Sequence, residues 1–304
     1  MVDHHRVREA LTGPIASLRT PFTPDGEIDF DCLRRMVNAH IEAGSGASLL
    51  TAGDSHYSVL SGEEIEEVTR VVCEETAGRA LAVAADRHYP TARAVAFAQR
   101  AAELGADVLM VMPPDWAASA TIESFVEHYA AVAEHTPVMI VTNVFQRRGD
   151  AFGLAVLEKA RDEVPGIVAL KDDVCGEFAR RAAALVHERW AVFSGGQKQN
   201  HLNMYPYGCD GYLSTFLCFR PEVAHTYWSA IETNDPEQAS RVIREFDMPF
   251  FDLIGSMPGG FDAGLRGTLE LFGAGTRWRR PPYHSLTDEE MGRLERGLAE
   301  IAIL

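Results

Sequence analysis

Lysine is almost absent from this chain: three residues in 304, against 25 arginines. The formal net charge is −16, which argues against nucleic acid or an anionic membrane surface as a partner. An anionic small substrate stays open, because one nearby arginine outweighs a distant global field. No apolar run approaches the ~20 residues that cross a bilayer. The amino terminus, Met1-Val2-Asp3-His4-His5-Arg6, lacks the apolar stretch of a secretory signal. Cysteine is scarce as well: Cys32, Cys73, Cys175, Cys209 and Cys218. The number is odd, no C-x-x-C pair occurs, and the surroundings are mostly apolar, so reduced thiols of a cytoplasmic protein are expected. Nucleotide loops are missing too, since Gly195-Gly196 is too short to cradle a phosphate chain.

What is present is a regular alternation. Short apolar runs at 15–20, 47–52, 80–85, 108–113, 138–143, 167–172, 191–196 and 211–216 are apolar throughout, the signature of strands covered on both faces. Amphipathic stretches separate them, at 31–43, 62–76, 91–104, 122–135, 151–162, 176–189, 200–205 and 221–232. Gly44 and Gly105 follow helices as stops, and Ser61 with Glu64 forms a capping box. Eight β-α units without a break predict an α/β fold, a closed (β/α)8 TIM barrel over 1–232. Three further helical stretches, 236–254, 261–271 and 287–302, predict a C-terminal helical extension over 233–304 packed on the barrel.

In such a barrel the chemistry belongs where strands end. Lys171 lies in Ile167-Val168-Ala169-Leu170-Lys171-Asp172, a buried strand in which an unpartnered cation is costly. Either an ion pair to Asp172 or Asp173 holds it, or it is kept partly neutral as a nucleophilic amine must be. Its place at a barrel mouth and the scarcity of lysine elsewhere favour the nucleophile. The other strand ends carry Thr20-Pro21-Phe22, Ala52-Gly53-Asp54-Ser55-His56-Tyr57, Asp86-Arg87-His88-Tyr89, Pro113-Pro114-Asp115-Trp116, Thr142-Asn143-Val144-Phe145-Gln146-Arg147, Ser194-Gly195-Gly196 and Ser214-Thr215.

With these motifs in order, the chain from about Pro14 onward resembles the dihydrodipicolinate synthase / N-acetylneuraminate lyase family of class I aldolases. The resemblance rests on Thr20-Pro21-Phe22 followed by Asp25-Gly26-Glu27-Ile28-Asp29, on Leu60-Ser61 with Glu63-Glu64, and on Gly105-Ala106-Asp107. It continues through the Lys171 strand, Ser194-Gly195, Gly211 to Ser214 with Pro221, and Arg280-Pro281-Pro282. It implies that Lys171 forms a Schiff base with pyruvate or another 2-oxo acid, without a cofactor, in a homo-oligomer, commonly a tetramer. The departures are informative. The family's G-T-T-G-E is replaced by Ala52-Gly53-Asp54-Ser55-His56, and its Y-N-x-P by Thr142-Asn143-Val144-Phe145. The strand-five tyrosine that usually relays protons is therefore absent, and a sibling activity is expected instead of dihydrodipicolinate synthase itself.

A neutral Lys171 amine attacks a ketone and leaves a protonated imine, an electron sink for charge at C3. Either carbon–carbon cleavage or condensation, or loss of a hydroxyl, then becomes accessible. Arg147 matches the family's carboxylate-binding arginine and suits that role geometrically. Asp54, Ser55, Gly195 and the backbone N–H groups of the strand-two loop complete the expected substrate contacts. For the proton shuttle the candidates are Thr142, His56 and Tyr57. A second reading comes from the recurring D-x-H-Y pattern, Asp54-Ser55-His56-Tyr57 and Asp86-Arg87-His88-Tyr89. Its two Asp and two His at neighbouring strand ends suit a divalent metal in a lyase or hydrolase. A third is a non-catalytic descendant that binds a 2-oxo acid, against which the retained Lys171 counts.

Overall fold

A computed structural model describes residues 3–304. Eight parallel strands form one sheet in the order β1-β8-β7-β6-β5-β4-β3-β2. They are β1 (Gly13–Ile15), β2 (Ala47–Leu49), β3 (Leu81–Ala85), β4 (Val108–Val111), β5 (Val138–Val141), β6 (Ile167–Asp172), β7 (Ala191–Ser194) and β8 (Gly211–Leu213). Every residue in them is buried, as uniformly apolar runs require. The barrel closes through one parallel bridge, Ser17 to Leu49, with the Leu18 N–H donating to the Leu49 carbonyl at 2.8 Å.

The crossover helices are α2 (Phe30–Glu42), α3 (Gly62–Thr76), α4 (Thr91–Glu103), α5 (Ile122–Ala133), α6 (Asp150–Glu163), α7 (Gly176–Val186), α8 (Gln197–Met204) and α9 (Pro221–Glu232). Their ends follow from local chemistry. Asp29 accepts from the Cys32 N–H at 2.8 Å to cap α2. Ser61 and Glu64 each accept from the other's backbone N–H to start α3, and Gly44 and Gly105 take the positive φ that stops a helix.

Two features differ from the sequence expectation. A helix α1 (His4–Ala10) precedes the first strand and lies against β6 and β7 at the N-terminal end of the barrel. There Arg8 donates to Asp210 at 3.1 Å and to the Trp190 carbonyl at 2.7 Å. Only Val7 of its seven residues is buried, so no apolar period announced it. The long helix expected over 236–254 is broken: α10 (Pro236–Val242) passes through a π-turn (Ile243–Asp247) into α11 (Met248–Gly255). Pro249 has no N–H for the ladder, and a widened turn absorbs the missing bond. Helices α12 (Gly260–Leu271) and α13 (Asp288–Glu300) follow. The extension buries Phe250, Leu265 and Leu294 in a core shared with Phe216 and Tyr227 of the barrel.

Candidate active site

Side chains alternate along β6, and its register sets Val141 of β5 beside Lys171. Both face the lumen and line a cavity of about 210 Å³, with Met110, Met112, Asp173 and Gly195 on its walls. Lys171 is 6% exposed, and its ammonium donates to both oxygens of Asp173, at 2.5 and 2.6 Å. Of the two acids expected as ion-pair partners, Asp173 takes the lysine and Asp172 does not. Asp172 points the other way and accepts from the Thr142 hydroxyl at 2.9 Å, the Cys175 N–H at 3.0 Å and the Asn200 amide at 3.1 Å. Burial raises the pKa of Asp172, and these hydrogen bonds only partly oppose the rise. Lys171 is thus held in the expected ion pair and at the same time lines the cavity.

Gly195 makes this possible. A Cβ there would lie 1.8 Å from Asp173 Oδ1 and 2.8 Å from Lys171 Nζ. Its N–H donates to the Asp172 carbonyl at 2.7 Å, so the backbone is fixed where a side chain has no room.

Asp54 and Gly53 line the same cavity from the loop after β2. Asp54 Oδ2 accepts from the Ser17 hydroxyl at 2.6 Å, and its other oxygen lies 3.5 Å from the buried Arg19 guanidinium. The Asp54 N–H is used by the Thr51 hydroxyl and the Ser55 N–H by the Thr51 carbonyl. The Ala52 and Gly53 N–H groups make no hydrogen bond among the described residues. A substrate carboxylate would find its backbone donors there, at Gly53 as expected and at Ala52 one residue earlier. Ser55 is a framework residue: fully buried, its hydroxyl donates to the Leu18 carbonyl at 2.6 Å.

None of the three expected proton shuttles reaches the cavity. Thr142 faces the helices with Asp172, and its hydroxyl also accepts from the Asp173 N–H at 2.9 Å, so it positions the lysine's partner. His56 takes a left-handed φ of 58°, which turns its ring to the C-terminal extension. Its Nε2 sits 2.7 Å from Asp262 of α12, beside Tyr283. Burial lowers the His56 pKa, more than the Asp262 hydrogen bond raises it. Burial would raise Asp262 in turn, but the His56 hydrogen bond and the Arg266 charge outweigh it and hold the carboxyl far below the usual range. Tyr57 is fully buried, its hydroxyl has no partner among the described residues, and burial drives its pKa up.

The metal reading fails on the same geometry. Asp54 faces the lumen, His56 is held by Asp262, and Asp86 turns to the Met112 N–H at 3.0 Å. His88 faces a separate outer chamber. Among the described residues no three His, Cys, Asp or Glu side chains converge.

That outer chamber, about 870 Å³, shares Asn143 with the inner cavity and is lined by His88, Trp116, Arg147 and Arg148. Arg148 is spent on Asp115, at 2.6 Å, and on the Ala120 carbonyl. Arg147 is exposed and forms no ion pair among the described residues. Sequence reasoning named Asp173 only as an ion-pair partner of Lys171 and gave Asn143 no role, yet both line the cavity. Period-two alternation across the strand end would have put Asp173 on the face of Lys171.

Residues 10–301 match the model of the dihydrodipicolinate synthetase family. The chain belongs to that family. Among curated relatives, it is 32% identical over 292 residues to a Streptomyces coelicolor protein named probable 5-dehydro-4-deoxyglucarate dehydratase 1, covering 93% of this chain and 90% of the relative. It is 36% identical over 188 residues to the 4-hydroxy-tetrahydrodipicolinate synthase of Methylococcus capsulatus, covering 61% and 64%. Solved structures share the fold as well. Dihydrodipicolinate synthase from Bacteroides thetaiotaomicron superposes with a TM-score of 0.84 at 20% identity, covering 95% of this chain and 98% of that one. YagE of E. coli K12, a prophage protein of the dihydrodipicolinic acid synthase family solved with pyruvate, gives 0.80 at 21%, covering 96% and 99%. No helix among the described residues is long and apolar enough to cross a membrane.

Proposed function

We propose that this protein is a Schiff-base-forming lyase acting on a 2-oxo acid, and that its reaction is the dehydration of a hydroxylated sugar acid. The observation that carries the reading is the Lys171 amine in a small cavity, with one carboxylate as its hydrogen-bond partner. Once a proton is shed, Nζ attacks the C2 carbonyl; loss of water leaves a cationic imine that stabilises negative charge at C3. A hydroxyl on C4 can then depart. The carboxylate next to the carbonyl is received by the Ala52 and Gly53 N–H groups, and Met110, Met112 and Val141 keep the imine from bulk water. A longer acid extends past Asn143 toward Arg147, whose guanidinium suits a second carboxylate. That arrangement fits a sugar diacid, and it is the name of the S. coelicolor relative that favours dehydration over cleavage or condensation. We also propose assembly into a homo-oligomer, with a tetramer as the expected form, to be read by light scattering.

The test is borohydride reduction with pyruvate, followed by peptide mapping. The expected outcome is one reduced pyruvyl adduct, on the peptide containing Lys171. No adduct, or one on Lys159 or Lys198, would end the reading. Turnover of 5-dehydro-4-deoxyglucarate, with one water lost per molecule, would then support the dehydratase assignment, and release of pyruvate with an aldehyde fragment would replace it by an aldolase.

A further inference from the structure

The inner cavity holds three ionisable side chains: Asp54, Lys171 and Asp173. Asp54 is occupied by Ser17 and Arg19. The family's strand-five tyrosine is replaced by Thr142, whose hydroxyl is turned away and committed to Asp172 and the Asp173 N–H. A proton acceptor and donor is still needed beside the imine, and the carboxylate of Asp173 has no hydrogen-bond partner but Lys171 among the described residues.

We infer that Asp173 is the catalytic proton relay of this site, serving in turn the amine, the departing water and the C3 carbon. The inference rests on the Schiff-base reading above. Asp173 first accepts a proton from the Lys171 ammonium, which frees the lone pair that attacks C2. Proton transfer from nitrogen to oxygen gives the carbinolamine. Asp173 returns its proton to that hydroxyl, water leaves, and a cationic imine with a single N–H remains. An ammonium has three donors and holds both carboxylate oxygens; an imine has one. Formation of the imine therefore releases one oxygen of Asp173, beside a nitrogen that is itself two bonds from C3. That oxygen removes the C3 proton, the electron pair moves into the C2–C3 bond, and the imine becomes a neutral enamine. In a dehydration the same proton then goes to the C4 hydroxyl as the enamine expels it, returning Asp173 to the carboxylate. The protons balance at each step with no further group. Gly195 leaves the room Asp173 needs, and Thr142 fixes its backbone.

The experiment uses the full chain and pyruvate as the probe. Borohydride trapping measures imine formation, and NMR in D₂O measures exchange of the pyruvate methyl protons, which reports abstraction at C3. Wild-type protein is expected to do both. Asp173→Asn is close in size and should still trap pyruvate on Lys171, more slowly, while methyl exchange per trapped imine falls at least about a hundredfold. Exchange per imine within about threefold of wild type would overturn the relay, as would a folded Asp173→Asn that forms no imine, since Asp173 would then serve the amine alone. Should Asp173→Asn not fold, Asp173→Ser is read by the same two assays and criteria. Failure of the wild-type protein to trap pyruvate is a different result: it removes the Schiff-base reading itself.

Discussion

Gly195→Ala separates the stability of the barrel from the geometry of its site. The new Cβ would lie 1.8 Å from Asp173 Oδ1, against the 3.4 Å or more of ordinary contact. The carboxylate must withdraw by about 1.5 Å, since the Asp172 carbonyl, 3.0 Å away on the backbone side, is fixed by the Gly195 N–H. Overpacking a fitted position costs about 1–3 kcal/mol. The lower end is expected here, because the Asp173 side chain is 24% exposed and can swing toward solvent. Displacing a reacting group by about 1 Å costs on the order of a hundredfold in rate. A melt lowered by only a few degrees is therefore expected, with pyruvate trapping slowed about a hundredfold. Gly53→Ala is the control: it lines the same cavity, and a Cβ there meets nothing within 4 Å. It should fold as wild type and trap pyruvate far better than Gly195→Ala. Trapping by Gly195→Ala within threefold of wild type would refute the reasoning that Lys171 and Asp173 share a space only glycine allows.

Two further outcomes are expected. Asp86 is fully buried with one oxygen unpartnered among the described residues, and burial pushes its pKa up to about 8. The folded protein thus keeps a proton that the unfolded chain gives up above about pH 4. The stability this contributes is complete below pH 4 and is lost as pH rises to about 8. Asp86→Asn keeps an acceptor for the Met112 N–H, so its advantage over wild type in urea melts should grow by a few kcal/mol between pH 5 and 8; a pH-independent difference would disprove the buried proton. Lys198 and Asp247, 2.7 Å apart and both fully buried, join α8 to the π-turn of the extension. Lys198→Met should cost about 3–5 kcal/mol and the double change Lys198→Met/Asp247→Leu much less, measured by urea denaturation; equal losses would show that the charges are not coupled.

The barrel was legible because its strands must be apolar on both faces and its helices on one, and those periods survive in the sequence. Lys171 was legible for a related reason, as a cation in an apolar run. The π-turn at Ile243–Asp247 and the polar α1 left no such mark. The shuttle residues were misplaced because proximity in sequence to a strand end says nothing of rotation about it. His56 follows β2 directly, but a positive φ turns it to Asp262, and Asp262 lies 206 residues away. Thr142 stands one residue from the lumen-facing Val141, and that single step put it on the other face.

The seam where the first and second strands meet has, among the described residues, a single backbone bridge at Ser17, with the Leu18 N–H on the Leu49 carbonyl and the Ala16 N–H on the Ser45 hydroxyl beside it. Yet the Ser17 hydroxyl also grips Asp54, and the Leu18 carbonyl takes the hydroxyl of Ser55. The weakest stave joint in this cask is thus riveted to the loop where we propose that substrate is received. Any breathing of the barrel that begins there would unmake the proposed carboxylate berth at once, so a protein caught half open along this line would be one that had already let go of its guest.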